Sequence, residues 1–333
     1  MKKHAIIPIF IPHLGCPHNC VFCNQVVITS RDNDVTVSDA RKIIDEWLTT
    51  LAPGGKKAVE TVEVSFYGGS FTGIPMEKQT EFLRLAKEYK DRGLVDKIHL
   101  STRPDYITVP ILDNLKEYSV DTIELGVQSF SEEVLQKSGR GHTREVIYTA
   151  SEMIKDYGFE LGIQLMIGLP GDTYEACIMS AEETVKIGPS IARLYPTVTI
   201  EDTEMYSMFE RGEFLPLPLS ESIRRTKDMY KILTSNGINV IRIGLKSSEA
   251  MNSKIGFHPA YKQLVMGEIA KEEIENGICG KEITVKANSK CYGNIFGHKG
   301  INREYFRDEY PGLIIHAVVD NSIPDDRYIV EKS

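Results

Sequence analysis

Residues 61–73 read TVEVSFYGGSFTG. Val62, Val64 and Phe66 alternate with polar residues, so a β-strand over 61–67 would carry apolar side chains on one face and polar ones on the other. Three further segments alternate apolar with polar or small residues in the same way, and helical-period segments lie between them. The segments that we predict as strands are 5–11, 61–67, 97–103, 121–128, 160–168, 190–196 and 237–243, and the predicted helices include 37–51, 76–92, 144–157 and 174–187.

Alternating strands and helices indicate repeated βα units and a parallel sheet. Parallel strands that are covered on both faces are usually apolar throughout, whereas these strands keep one polar face. Burying polar groups costs free energy unless they meet a polar ligand or one another. We therefore predict an α/β fold, a partial or full (β/α) parallel barrel over 1–244 whose interior holds a ligand. A small C-terminal α+β extension over 245–333 is a candidate for substrate binding, and a solvated antiparallel sheet face is the alternative to the barrel.

The composition is typical of a folded protein without membrane spans. Hydrophobic residues make up 41% and charged residues 26%, values that exclude the disordered and membrane-embedded classes. The apolar stretch that follows the first few residues is short and interrupted by proline, so we expect no signal peptide, no membrane segment and a cytoplasmic location. The net charge of −8 disfavours a surface that binds nucleic acid throughout, but it is compatible with a local basic patch.

Three of the six cysteines, Cys16, Cys20 and Cys23, lie close together in a loop rich in turn-forming residues. This spacing favours a metal site over a disulfide scaffold. Structural zinc would need a fourth ligand such as His13 or His18, whereas a 4Fe–4S cluster held by three cysteines leaves one iron open to another ligand. Ligand count and spacing favour the open iron–sulfur cluster over zinc or incidental thiols. The isolated cysteines are interpreted as buried small apolar residues, namely Cys177, Cys279 and Cys291.

The CxxxCxxC spacing, with Phe22 directly before the third cysteine, resembles the radical S-adenosylmethionine (SAM) superfamily. Further matches resemble the branch that contains oxygen-independent coproporphyrinogen oxidase and the catalytic subunit of Elongator. The stretches at 102–106 and 256–260 favour the Elongator-like side of that branch. The resemblance covers about residues 5–310 and rests also on STRPDY at 101–106, ELGVQSF at 124–130, GRGHT at 139–143 and QLMIGLPG at 164–171.

The resemblance implies a cofactor pair and a radical reaction. Cys16, Cys20 and Cys23 are expected to ligate three irons of a 4Fe–4S cluster, and SAM is expected to bind the fourth. An electron from a flavodoxin-type or ferredoxin-type donor would then cleave SAM into methionine and a 5′-deoxyadenosyl radical, which abstracts hydrogen from the substrate. The resemblance identifies no substrate-specific catalytic residue. A non-catalytic iron–sulfur or zinc-binding protein is the first alternative.

The resemblance also implies which residues bind SAM. Gly68 and Gly69 are expected to receive its ammonium group through their backbone carbonyls, and Arg140 is expected to pair with its carboxylate. Glu124 and Gln128 are further candidates, with an interior hydrogen-bond network as their alternative role. Ser101 and Gln164 are neutral where the porphyrin-oxidase relatives carry an acidic residue. The remaining candidates are Phe22, Ile167 and Gly168 near the adenine, Gln164 at ribose or methionine atoms, and Ser70, Ser101 and Arg103.

The C-terminal extension contains a basic segment, Lys281 to Arg307. Its six basic residues, with aromatic residues between them, are predicted to bind RNA phosphates, so RNA and in particular tRNA is the leading substrate class and a small metabolite the second. A solvated sheet edge is the alternative for this segment, and an RNA-binding module with the barrel as scaffold is the second alternative function. About ninety residues follow the last predicted strand, too few for the acetyltransferase domain of Elongator's catalytic subunit. The six basic residues of the segment are Lys281, Lys286, Lys290, Lys299, Arg303 and Arg307, and its two acidic residues are Glu282 and Glu304.

Overall fold

The structure is a computed structural model of the 333-residue chain. It describes residues 4–11, 20–24, 35–55, 58–246, 251 and 254–332. The predictions made above for Cys16, His13 and His18 lie outside the described residues.

Seven parallel strands form the main sheet, and they lie side by side in chain order. Each begins and ends within two residues of its predicted bounds, because the alternation of apolar and polar residues reports strand conformation directly. The strands are β1 (His4–Ile11), β2 (Thr61–Gly68), β3 (Lys97–Thr102), β4 (Thr122–Gln128), β5 (Glu160–Ile167), β6 (Ile191–Pro196) and β7 (Asn239–Ile243).

Helices connect the strands, and the four predicted helices are confirmed to within one residue. The first helix begins with a capping box, in which Thr36 Oγ1 accepts from Asp39 N and Asp39 Oδ2 accepts from Thr36 N, both at 3.1 Å. The helices of this part are α1 (Val37–Leu51), α2 (Met76–Asp91), α3 (Val109–Glu117), α4 (Glu132–Lys137), α5 (Arg144–Asp156), α6 (Tyr174–Ile187), α7 (Glu204–Glu210) and α8 (Leu219–Ser235).

The apolar faces of the strands and the inner faces of the helices make the core. Val62 and Val64 of β2 are fully buried, as are Ile44 of α1 and Leu83 of α2 in the same cluster. The predicted partition of each strand into an apolar and a polar face is therefore confirmed. The apolar face packs under helices, which leaves the polar face for the interior of the sheet.

The sheet curls strongly towards its polar face. Arg193 of β6 donates from Nη2 to Tyr67 Oη of β2 at 2.6 Å, although three strands lie between β2 and β6. A flat sheet would separate these strands by about 19 Å, since neighbouring strands are about 4.8 Å apart. The fold is thus a partial (β/α) barrel. The alternative of a solvated antiparallel face is wrong, because the strands are parallel and Glu63, at 4% exposure, lies buried on the polar face.

The C-terminal part adds a second, three-stranded sheet. The central strand is β8 (Glu282–Ala287). On one side of it lies β9 (Ile314–Val319), which runs parallel to it, and on the other side lies β10 (Ile329–Lys332), which runs antiparallel. These elements share one hydrophobic cluster with the barrel strands, and Tyr261 Oη lies 2.6 Å from Ser222 Oγ of α8. The division at residue 244 stays a prediction. The elements are α9 (Tyr261–Gly277), β8 (Glu282–Ala287), α10 (Tyr292–Phe296), α11 (Ile301–Glu309), β9 (Ile314–Val319) and β10 (Ile329–Lys332). None of the helices in the described part of the chain is long and apolar enough to span a membrane.

Candidate functional site

Cys20 meets two arginines that are distant from it in the sequence. Its side chain is buried, and its Sγ lies 3.3 Å from Arg140 Nη1 and 3.7 Å from Arg103 Nη1. Cys23 follows in the same turn and donates from its backbone N to Cys20 O at 3.0 Å. Two of the three predicted cluster ligands therefore lie together, and one of them is the acceptor for two guanidinium groups. Thiolate sulfur is the form that ligates iron.

Arg103 is held at the carboxyl end of β3 by an acidic neighbour. Its Nε and Nη2 donate to the two carboxylate oxygens of Asp105 at 2.9 and 3.0 Å, and Nη2 also donates to the backbone carbonyl of Arg140. A fork of this kind fixes the plane of the guanidinium group. The structure thus brings the predicted residues Arg103 and Arg140 together with Cys20.

Arg140 has a buried N–H with no partner among the described residues. Its Nη2 donates to Gly126 O at 2.5 Å and its Nη1 reaches Cys20, but its Nε has no hydrogen bond. His142 Nε2 is buried and unpartnered as well, and burial together with the Arg140 charge lowers the pKa of His142 to about 4. An unsatisfied buried donor costs about 1–3 kcal/mol, so this corner of the site fits an anionic ligand group.

Gly68 ends β2 beside the end of β1, where the cysteine loop begins. Its φ is +113°, and a Cβ there would lie 2.7 Å from the backbone oxygen of Ile11. Gly69 N donates to Ile11 O at 3.0 Å, and Ser70 is buried directly after it. Only glycine fits position 68, which leaves the exposed backbone at Gly68 open to a ligand.

The predicted glutamines form a pair inside the sheet. Gln164 Nε2 of β5 donates to Gln128 Oε1 of β4 at 2.9 Å. A register shift at the end of β4 and a φ of +70° turn Gln128 back across the strand. A Cβ at Gly126 would lie 2.9 Å from Gln128 Nε2, so this glycine makes room for the amide pair.

A layer of charged side chains fills the interior of the sheet. His99 Nδ1 lies 2.9 Å from Glu63 Oε1, and Arg193 Nε lies 2.6 Å from Glu124 Oε2. Ser101 Oγ donates to Glu124 Oε1 at 3.1 Å, so two of the predicted SAM-binding residues are bonded within this layer. The interior network that was the alternative for Glu124 therefore exists. We call Glu63, His99, Glu124 and Arg193 the charged layer.

Two members of the charged layer, Glu63 and Arg193, and the neighbouring Tyr67 have shifted pKa values. Burial opposes the ionisation of Glu63, but hydrogen bonds from His4, His99 and Ser65 hold the pKa of its carboxyl well below the ordinary value. Burial likewise opposes the charge of Arg193, while the Glu124 carboxylate raises the pKa of the guanidinium. Burial raises the pKa of Tyr67 to about 12. These groups are fixed in their charge states at neutral pH.

Sequence reasoning missed Arg193 and its neighbour Tyr195, whose Oη lies 3.2 Å from Arg193 Nη1. The signal was present, since Ala192 and Leu194 of β6 are buried on the apolar face and Arg193 stands between them. A charged residue at the polar register of a strand is a candidate for the interior. Its partners on β2 and β4 could not be read from that pattern.

The residues predicted near the adenine are spread over two places. Phe22 is half-buried in the turn of Cys20 and Cys23, whereas Ile167 is 1% exposed with its side chain in the apolar core, so only its backbone can face a ligand. Gly168 has a φ of +88° and donates from its N to Asp172 Oδ2 at 2.7 Å. It borders a cavity of about 340 Å³ that is also lined by Asp172, Met208, Phe214 and Leu217.

Three of the six basic residues of the C-terminal segment are paired with carboxylates. Lys286 pairs with Glu331 at 2.6 Å, Lys290 with Asp325 at 2.8 Å and Arg307 with Asp308 at 2.8 Å. Its aromatic residues are mostly packed inward, as the 4% exposure of Phe306 illustrates. Within the described residues, no ion pair joins Lys299 or Arg303 to a carboxylate, and Arg303 lies over the Phe296 ring at 4.3 Å.

The residues of this site fit a 4Fe–4S cluster with SAM. Two neighbouring cysteines would supply thiolate ligands, and Arg140 carries a buried donor that has no hydrogen bond within the described residues and suits a carboxylate. Gly68 has exposed backbone and no side chain of its own to cover it. Thiolates, a guanidinium fork and open backbone are the donor set that such a cluster and an amino-acid ligand require.

Comparison with known proteins supports this fit. The family model described as "Radical SAM superfamily" matches residues 10–183, and that described as "Radical_SAM C-terminal domain" matches residues 189–271. The tRNA uridine(34) acetyltransferase of Methanocaldococcus infernus is 27% identical over 66% of this chain and 48% of its own length. The heme chaperone HemW of Bacillus subtilis is 28% identical over 72% of this chain and 63% of its own length.

The solved structure of archaeal Methanocaldococcus infernus Elp3 with an N-terminal deletion has the same fold. Its TM-score is 0.60 at 21% identity, over 82% of this chain and 64% of that chain. This chain thus spans about half to two thirds of the length of these relatives. Because the first family model covers more than half of the sequence, the chain belongs to the radical SAM superfamily, whose members use a 4Fe–4S cluster and SAM.

Proposed function

We propose that this chain is a radical SAM enzyme that acts on RNA, with tRNA the leading substrate class. The observation that supports the radical step is the convergence of Arg103 and Arg140 on Cys20, together with the unpartnered Nε of Arg140. The RNA substrate is supported by the similarity to a tRNA uridine(34) acetyltransferase over two thirds of the chain.

Different residues of the site would bind the cluster and SAM. Cys20 and Cys23, with Cys16, would ligate the cluster, Arg140 would receive the SAM carboxylate, and the backbone at Gly68 would receive the SAM ammonium group. When bound, the cluster and SAM supply an electron and a carbon-centred radical that removes a hydrogen atom from the substrate. The electron donor that we propose is a flavodoxin-type or ferredoxin-type protein.

The charged layer defines how deep a ligand can enter the barrel. Glu63, His99, Glu124 and Arg193 are at most 8% exposed, and their side chains fill the interior, with contacts of 2.9 Å between His99 and Glu63 and 2.6 Å between Arg193 and Glu124. Within the described residues, His99 Nε2 makes no hydrogen bond, and Arg193 Nε and Glu124 Oε2 meet as an ion pair without hydrogen-bond geometry. Ligands are therefore confined to the carboxyl ends of the strands, where Arg103, Arg140 and Gly68 lie. Chemistry in barrels of this kind gathers at the same ends.

Cofactor cleavage gives a direct test of the radical step. The chain would be reconstituted anaerobically with iron and sulfide, reduced with dithionite and incubated with SAM, and 5′-deoxyadenosine would be measured. We expect product from the native chain and from Cys279→Ala, but at least a hundredfold less from Cys20→Ala. Cys279 is a suitable control because its side chain is exposed, so its interpretation as a buried residue is wrong. A fully loaded native chain that forms no 5′-deoxyadenosine with several reductants would refute the proposal, and zinc in place of iron would favour the non-catalytic alternative.

The substrate is tested by adding total tRNA in deuterium-labelled form. Hydrogen abstraction from RNA predicts deuterium in 5′-deoxyadenosine, because the hydrogen that the radical gains comes from the substrate. Unlabelled product with tRNA, but labelled product with a pool of deuterated small metabolites, would instead favour the second substrate class.

A further inference from the structure

Arg103 occupies a position between an acidic anchor and the sulfur of Cys20. The side chain is 3% exposed and comes from the carboxyl end of β3, 83 residues away from Cys20 in sequence. Its Nη1 lies 3.7 Å from Cys20 Sγ. A buried guanidinium group needs a partner for each of its donors, and here one of these partners is a predicted cluster ligand.

The geometry of Arg103 selects arginine over other cations. Nε and Nη2 are both used by Asp105, and Nη2 also donates to the backbone carbonyl of Arg140. Two edges of the planar group are thereby fixed, and the third edge, at Nη1, is directed to the sulfur. Lysine carries a point charge on a flexible stem and cannot satisfy the carboxylate, the carbonyl and the sulfur in this arrangement.

The Asp105–Arg103 pair acts on Cys20 differently from Arg140. Arg140 has a buried Nε that makes no hydrogen bond within the described residues and is open to a ligand, whereas Nε and Nη2 of Arg103 donate to Asp105 and Arg140 O and its Nη1 donates to Cys20. Both arginines approach the same sulfur, but only Arg103 has its charge balanced by a bidentate carboxylate. Arg103 is therefore suited to support the ligand itself.

We infer that Arg103, clamped by Asp105, is a positioning residue that holds the Cys20 sulfur and stabilises the reduced form of the cluster. Hydrogen bonds to the sulfur ligands and nearby charge set the reduction potential of iron–sulfur clusters. Reduction adds a negative charge, so a guanidinium donor at the sulfur favours the reduced state. The inference depends on the cluster of the proposed function.

The test is a potentiometric titration of the reconstituted full chain without SAM, followed by electron paramagnetic resonance. In Arg103→Met we expect the ratio of reduced to oxidised cluster at a fixed potential to fall about tenfold, which is 59 mV for a one-electron couple. In Asp105→Asn we expect the ratio to rise, because a negative charge close to the site is removed while Arg103 remains. Arg211→Met is the control, since Arg211 pairs with Glu213 on the surface and its ratio should not change.

Iron and sulfide content and circular dichroism are measured on each variant. If Arg103→Met does not load, Arg103→Lys decides, and we expect its ratio of reduced to oxidised cluster to lie below that of the native chain. The inference would be overturned if Arg103→Met or Arg103→Lys takes up the cluster and keeps the native ratio of reduced to oxidised cluster. It would also be overturned if the Arg103 and Asp105 variants shift this ratio in the same direction. A native chain that takes up no cluster would instead refute the proposed function.

Discussion

Two features of the backbone require glycine at position 68, namely its positive φ and its close approach to Ile11 O. Its φ of +113° is strained for any residue with a Cβ, and that Cβ would also lie 2.7 Å from Ile11 O. Backbone atoms of a buried strand cannot move aside as a flexible side chain could. The glycine therefore keeps the ends of β1 and β2 in contact where the cysteine loop begins.

Gly68→Ala is expected to lower the free energy of unfolding by about 3 kcal/mol, of which about 1 kcal/mol or more is conformational strain. Gly93→Ala is the matched control, because Gly93 also has a positive φ, +69°, but an added Cβ would have no atom within 4 Å. Urea unfolding of both variants measures the difference. Equal losses would show that the contact with Ile11 carries no cost.

At the residue scale, the family resemblance predicted Gly68, Arg103 and Arg140 as members of one site, and their role in binding SAM stays a prediction. The sequence could not predict the positive φ of Gly68, because a Gly-Gly pair is compatible with many turns. Nor could it give the unpartnered Nε of Arg140, since hydrogen bonding depends on which groups the fold brings near.

At the scale of elements, four of the seven strands, β2, β3, β4 and β6, each contribute one side chain to the charged layer. Glu124 of β4 and Arg193 of β6 are 3% and 9% exposed at their side chains, and neither has water to solvate its charge. Breaking a buried ion pair from one side costs about 3–5 kcal/mol, because the other charge stays buried without a partner.

Glu124→Gln is therefore expected to lower the free energy of unfolding by about 3 kcal/mol at neutral pH, since Arg193 would lose its charged partner. The double variant Glu124→Gln with Arg193→Met should recover part of this loss, because it removes the orphaned charge. Chemical denaturation of the single and double variants measures both. Additive losses would show that the two residues do not act as a pair.

The strand pattern predicted a polar interior, but not which of its side chains pair with one another. Period-two alternation depends only on the chain within each strand, and it places Glu63, His99 and Glu124 opposite the apolar residues of their own strands. The pairing of Glu124 with Arg193 depends on the curl of the sheet across β5, which no single strand encodes.

At the scale of the whole molecule, three cations of the basic segment are exposed and form no ion pair within the described residues, namely Lys281, Lys299 and Arg303. Lys299 is exposed beside two histidines, His258 and His298, whose ring centroids are 5.7 Å apart. Burial and the positive charges of His298 and Lys299 lower the pKa of His258. Lys290, from the same segment, is instead paired with Asp325.

If RNA is the substrate, Lys299→Ala should weaken the binding of total tRNA and reduce the salt dependence by about one charge in slope. Lys290→Ala should leave both unchanged, because its charge is already balanced by Asp325. Fluorescence anisotropy of the full chain at several salt concentrations measures both quantities. Equal effects of the two substitutions would contradict a contact at Lys299.

The sequence by itself determined the seven strands, the two faces of each strand, the three clustered cysteines and the resemblance to the family. These features are local, because strand periodicity and motif spacing are properties of short segments. The tertiary structure alone decided which distant groups meet: Arg103 with Cys20 across 83 residues, and Arg193 with Tyr67 across 126. It also decided which lysines are paired with acids. Such contacts arise from the curl and packing of the whole sheet, and no segment carries that information alone.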